Sequence, residues 1–158
     1  MTDTHVVSAT LEDYVEAIAH LVAEKGVARV RDISRALSVH KSTVTAALKT
    51  LTEKNLVNYA PYEAATLTPQ GERVAEEVIR RHEVIQRFLS EVLCLDSAEA
   101  QENACRMEHV MGRNVLQRLS LFAEFVKENL DDDNSWFRQF RESAHSDPNA
   151  EDAHLDNG

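Results

Sequence analysis

In the stretch ENACRMEHVMG, Cys105, Glu108 and His109 stand at i, i+3 and i+4, and in LEDYVEAIAH, Asp13 and Glu16 stand at i and i+3. On a helix each set projects from one face within one turn. His82 follows Val78 by four residues and precedes Ile85 by three, which puts it on the inward face of a third helical pattern. Carboxylate, imidazole and thiolate are ligands for divalent transition metals, so three converging helices would supply a cation that neither segment binds well alone. Spacing leaves plainer readings open. Cys105 is equally a small buried residue, Glu108 and His109 an exposed polar pair, Asp13 and Glu16 first-turn acids favouring the helix dipole, and His82 a hydrogen-bonded core histidine.

The elements that must position these residues follow from periodicity. Leu11, Tyr14, Val15, Ile18, Leu21 and Val22 recur at helical spacing, and Gly26 closes that helix. After the extended piece VARV, the segment DISRALS carries Ile33, Ala36 and Leu37 on one face; KSTVTAALKTLTEKN carries Val44, Ala47, Leu48 and Leu51. Two short helices with a junction at Ser38 and Val39 predict a helix-turn-helix. LVNYAPYEAATLT reads as a hairpin turning at Pro61, the wing of a winged helix. Thr68 caps the next helix, Pro69 fills its first turn, and Val74, Val78, Ile85, Phe88, Leu89 and Val92 line its inner side. A helix through ENACRMEHVMG follows, then one from about Asn114 with a seam of Val115, Leu119, Phe122 and Val126, a break at DDDN, and a short helix at SWFRQF.

The expected fold class is therefore mainly α: an N-terminal winged helix-turn-helix, residues 1–72, followed by an all-helical domain, residues 73–142. An acidic tail, residues 143–158, is expected to be disordered. No apolar run approaches the ~20 residues that span a bilayer. The start MTDTHVVSATLEDY lacks signal-peptide character, and two cysteines do not make a disulfide scaffold, so a cytoplasmic protein is expected.

A net charge of -10 argues against a nucleic-acid partner until its distribution is considered. Between residues 29 and 54 six cations face two acids, whereas from Asp131 onward eight acids face two cations. The basic stretch coincides with the helix-turn-helix. A recognition helix needs short polar side chains at its start, so that hydroxyls and cations reach phosphates and base edges. Lys41, Ser42, Thr43, Thr45 and Lys49 meet that need, and Arg31 stands on the preceding helix. Double-stranded DNA is the expected partner.

Together LEDYVEAIAHL, VARVRDISRALSVHKSTVTAALKTL, LTPQGERVAEEVIRRHEVIQRFL and ACRMEHVM resemble the diphtheria toxin repressor family, and within it the short manganese transport regulator branch. The resemblance implies a homodimeric winged-helix repressor of metal-uptake genes, activated by Mn²⁺ or Fe²⁺ and reading a palindromic operator. It implies Asp13, Glu16, His82, Cys105, Glu108 and His109 as metal ligands. Asp13 matches the manganese regulators, whereas Cys105 matches the iron branch, so the set is a hybrid. Gln86 and Gln101 depart from the iron branch's second site, Lys41 replaces a usual proline, and Glu63 replaces an arginine common in the wing.

No enzyme, membrane partner or small-molecule substrate is expected. A metal-dependent hydrolase would need an open coordination position and a general base, and no second catalytic constellation stands in the sequence. A metal-independent winged-helix regulator answering to a small ligand or partner fits the N-terminal half, but leaves the ligand-type residues unexplained.

Overall fold

The computed structural model describes residues 8–129 and 135–145. They form seven α-helices, one π-helical turn and a two-stranded hairpin, and separate into two compact units that divide between Arg80 and Arg81. The expected break at DDDN and the tail from residue 146 lie outside the described residues.

In the first unit, α1 (Ala9–Lys25) ends where Gly26 adopts φ 75° and its N–H donates to the Val22 carbonyl, a left-handed cap that glycine accepts at no steric cost. Tyr14, Val15, Ile18 and Leu21 of α1 are buried, whereas Val22, expected inside, is exposed. Helix α2 (Val30–Ala36) meets α3 (Lys41–Glu53) through a turn closed from both sides. The Val39 N–H donates to the Ser34 carbonyl at 3.0 Å, and the Ser34 hydroxyl donates to the Val39 carbonyl at 2.6 Å. Ser38 takes the left-handed backbone this requires. Val44, Ala47, Leu48 and Leu51 are buried as their spacing predicts, with Ile33, but Ala36 is exposed because α2 ends there, short of a second full turn.

Strand β1 (Val57–Asn58) pairs antiparallel with β2 (Thr66–Leu67), and Ala28 bridges Ala65. This is the expected winged helix-turn-helix. Helix α4 (Pro69–Arg87) starts against the wing: the Thr68 hydroxyl accepts from the Gly71 N–H at 3.0 Å and donates to the Asn55 carbonyl at 2.7 Å. A Cβ at Gly71 would fall well inside contact distance of the Leu56 carbonyl oxygen, so glycine permits this approach.

The second unit contains the end of α4, the π-helical turn Phe88–Val92, α5 (Ser97–Met107), α6 (Arg113–Asn129) and α7 (Ser135–His145). The regular helix expected through Val92 gives way at Phe88. There the Ser90 hydroxyl bonds the Gln86 carbonyl, and the Leu93 N–H reaches back five residues to Phe88. Val84, Ile85, Leu89, Ala100, Ala104 and Leu116 form one core; Val92, Ala123, Val126 and Phe137 form another.

The seam of α6 differs from expectation. Leu116, Ala123 and Val126 are buried, while Val115 and Phe122 are half exposed. Val126 and Leu119 pack inward as expected; apolar residues crowd this helix on adjacent positions, so periodicity alone picks Val115 and Phe122 over their neighbours Leu116 and Ala123. Helix α7 also runs three residues into the stretch expected to be disordered, because Ser143, Ala144 and His145 contain no helix breaker and Ala144 favours helix. Among the described residues no helix is long and apolar enough to cross a membrane.

Candidate functional site

The side chain of Asp96 starts α5, its Oδ1 accepting the N–H groups of Ala98 and Glu99 at 2.9 and 3.0 Å. Ala100 and Ala104 seat the helix against Val84 and Ile85 of α4. Helix α5 then stops at Met107, one residue before the first carboxylate of interest. Glu108 keeps helical backbone angles and its N–H still bonds the Ala104 carbonyl at 3.0 Å. Beyond it the chain tightens, with the N–H groups of Val110 and Met111 both directed at the Met107 carbonyl. Cys105 thus lies on the helix, and Glu108 and His109 lie in the turn that ends it, a correction to one helical face carrying all three.

Glu108 is fully buried, and each of its carboxylate oxygens faces a different imidazole. His82 Nδ1 stands 2.7 Å from Oε2, and His109 Nε2 stands 3.3 Å from Oε1. Cys105 Sγ lies 3.7 Å from the same His82 Nδ1 and is exposed. One ligand atom from each of His82, Cys105 and Glu108 falls within 4.8 Å of the other two. Donors at 2.0–2.3 Å from a common ion stand roughly 3–3.7 Å apart, so this nitrogen, sulfur and oxygen set fits a divalent cation with only small adjustments. A carboxylate this buried needs partners of positive character, which imidazoles or a metal supply.

Two of the plainer readings do not hold: Cys105 is exposed rather than core, and Glu108 and His109 are buried or nearly so. His82 is largely buried and bonded to Glu108, as a hydrogen-bonded core histidine would be.

Asp13 and Glu16 belong to the first unit, both partly buried on α1. The helix starts at Ala9, so its first-turn acid is Glu12 and neither residue serves that purpose. Glu16 Oε1 lies 3.5 Å from His20 Nε2. Burial, and then the charge of Asp13, hold the Tyr14 phenol above its ordinary range.

Arg81 was not anticipated. It is buried, and its Nη1 donates to the Glu108 carbonyl at 3.0 Å, fixing the turn that carries both Glu108 and His109. The signal was present: Arg81 follows Val78 by three residues and precedes Ile85 by four, so it shares the inward stripe with His82.

The expected DNA-contacting residues are all exposed: Lys41, Ser42, Thr43, Thr45 and Lys49 on α3, and Arg31 on α2. The Thr45 hydroxyl donates to the Lys41 carbonyl at 3.0 Å, and Arg31 Nε lies 3.6 Å from Asp32. The buried stripe of α3 anchors the helix, which leaves its polar side open to a partner.

Comparison with known proteins matches residues 6–65 to the N-terminal DNA-binding domain of iron-dependent repressors. Residues 68–137 match the metal-binding and dimerisation domain of the same proteins. The HTH-type transcriptional regulator MntR of Bacillus pumilus is 33% identical over 120 residues, 76% of this chain and 83% of that protein. Among solved structures, the fold is similar to IdeR of T. acidophilum, with a TM-score of 0.63 and 29% identity over 75% of this chain. A manganese-dependent transcriptional repressor in complex with manganese gives a TM-score of 0.66 and 25% identity over 73% of this chain. The match spans 53% of each of those two solved chains. With a DNA-binding domain and a metal-binding and dimerisation domain matched in order along one chain, the protein belongs to the iron-dependent repressor family of metal-dependent, DNA-binding transcriptional regulators.

Proposed function

We propose that this chain is a cytoplasmic, homodimeric repressor of metal-uptake genes, and that Mn²⁺ or Fe²⁺ switches it on through a site formed by Asp13, Glu16, His82, Cys105, Glu108 and His109. The observation that carries the reading is the meeting of His82, Cys105 and His109 around one buried carboxylate, Glu108. Asp13 and Glu16 join the set by the pattern of the family and by standing beyond the first turn of α1. The division of labour follows the sequence expectation, with residues 1–72 contacting DNA and 73–142 serving metal binding and dimerisation.

In this reading the bound ion supplies positive charge that holds the carboxylates together. The protein does the rest. His82 and His109 would each offer the lone pair of an unprotonated ring nitrogen to the ion, with the ring proton on the other nitrogen. Drawing ligands from α1 as well as from α4 and the end of α5 makes the two units a single ordered body, which fixes the spacing of the recognition helices in the dimer. A dimer reads a palindrome only when that spacing matches the half-sites, so ordering raises affinity with no new base contact. No catalytic step enters.

An anaerobic selection from a random duplex DNA library, run with Mn²⁺, with Fe²⁺ and with chelator, tests the proposal. A palindrome enriched only with metal is expected, and enrichment should vanish for His109→Ala while the dimer persists. Equal enrichment in chelator would overturn the switch.

A further inference from the structure

At the tip of the wing, Ala60, Pro61, Tyr62 and Glu63 form a tight turn, closed by the Glu63 N–H donating to the Ala60 carbonyl at 3.1 Å. Tyr62 sits third in this turn with φ 71°, a left-handed position normally given to glycine or asparagine. Its side chain is fully exposed. A bulky residue in that conformation is strained, and a side chain open to solvent gains little burial to offset the strain. Strain of this kind is retained where the side chain has a task.

The surroundings narrow that task. From Asn55 to Gly71 there is no lysine or arginine, and Glu63 adds a negative charge beside Tyr62. The wing therefore cannot hold a phosphate backbone by charge, as Lys41 and Lys49 of α3 can. Apart from the exposed Glu63 carboxylate, the groups it offers are neutral: the Tyr62 ring and hydroxyl, and the Asn58 amide 3.5 Å from the Thr66 hydroxyl on the neighbouring strand. A phenol offers a flat apolar face for a deoxyribose and an O–H that donates to a phosphate oxygen.

Building on the DNA-binding reading above, we infer that Tyr62 is a DNA-contacting residue, placing ring and hydroxyl on the sugar–phosphate backbone while α3 occupies the major groove. The left-handed turn holds the ring outward at the tip, and the contact is uncharged.

The test uses the full-length dimer in Mn²⁺ and the duplex that the wild-type protein enriches from a random library. Tyr62→Gly, which suits the left-handed backbone, should bind that duplex roughly tenfold more weakly. Its dependence of affinity on salt should match wild type, because no counterion-releasing contact is lost, and its melting temperature should not fall. Tyr62→Phe should keep the contribution of the ring and lose that of the hydroxyl. Equal affinity of wild type and Tyr62→Gly would overturn the inference, as would a loss of affinity accompanied by a lower melting temperature or a changed salt slope. Absence of any enriched duplex for wild type would instead overturn the DNA-binding reading on which this rests.

Discussion

His82 Nδ1 lies 2.7 Å from Glu108 Oε2, although the two residues are 26 apart in the chain. The pair brings α4 to the turn that ends α5 and, with Cys105 and His109 beside it, leaves three side chains of metal-ligand type around a carboxylate removed from water. If the cluster is the proposed metal site, an imidazole N–H occupies the place where a cation would stand, and the hydrogen bond would keep the donors assembled before metal binds.

Arg81→Met removes the guanidinium that bonds the Glu108 carbonyl and leaves that acceptor without it. Unfolding by denaturant should show a loss of about 1.5–3 kcal/mol. Calorimetric titration should show Mn²⁺ affinity reduced about 10- to 100-fold, as for other groups that orient metal ligands. Arg80→Met is the control: Arg80 is exposed and pairs with Glu77 at 3.1 Å, so stability should change by less than about 1 kcal/mol.

Cys105→Ser replaces a soft donor with a hard one. Competition titrations should show Zn²⁺ and Fe²⁺ losing affinity relative to Mn²⁺, and the near-ultraviolet thiolate charge-transfer band expected of Co²⁺-loaded wild type should be absent from the variant. An unchanged Co²⁺ spectrum would remove Cys105 from the ligand set.

Gly71→Ala sets a methyl group against a backbone oxygen at Leu56, which cannot turn aside as a side chain could. The variant should melt at lower temperature, with a loss of about 1–3 kcal/mol. Its purified, still-folded fraction should retain the metal affinity of wild type.

Tyr14 ionises near its ordinary value of 10.0 in the unfolded chain and above it in the fold, first because it is buried and second because Asp13 is negative. The folded state thus holds the proton more tightly. The resulting stability is fully present below about pH 10 and is lost as pH rises further. Denaturation of the metal-free protein should show a steeper alkaline decline for wild type than for Tyr14→Phe.

Much of this was legible in the sequence. The capped start of α4 at Thr68, the buried stripe of α3, the glycine end of α1 and the wing all follow from local rules whose signals lie within a few residues. Offsets of three and four placed Cys105, Glu108 and His109 within one turn and His82 on an inward face, while their grouping as one set was implied only by the family resemblance. Where α5 ends was not legible, since Glu108 and His109 continue a helical spacing after the helix itself has stopped. On α6, Val126 and Leu119 pack as expected, but Val115 and Phe122 are displaced by their neighbours Leu116 and Ala123, because apolar residues occupy adjacent faces there and only the packed partner decides between them. Arg81 escaped notice because a cation on an inward stripe reads as a break in the pattern until its acceptor, a distant backbone carbonyl, is known.

The four clustered side chains are graded in depth: Glu108 is sealed, His109 and His82 keep side-chain exposures of 10% and 14%, and Cys105 is open to solvent. An ion held among them, as proposed, would reach water past the sulfur. Cys105 would then bear on residence time as well as on preference between metals, and with it on how soon a cell short of metal regains use of the genes such a repressor keeps silent.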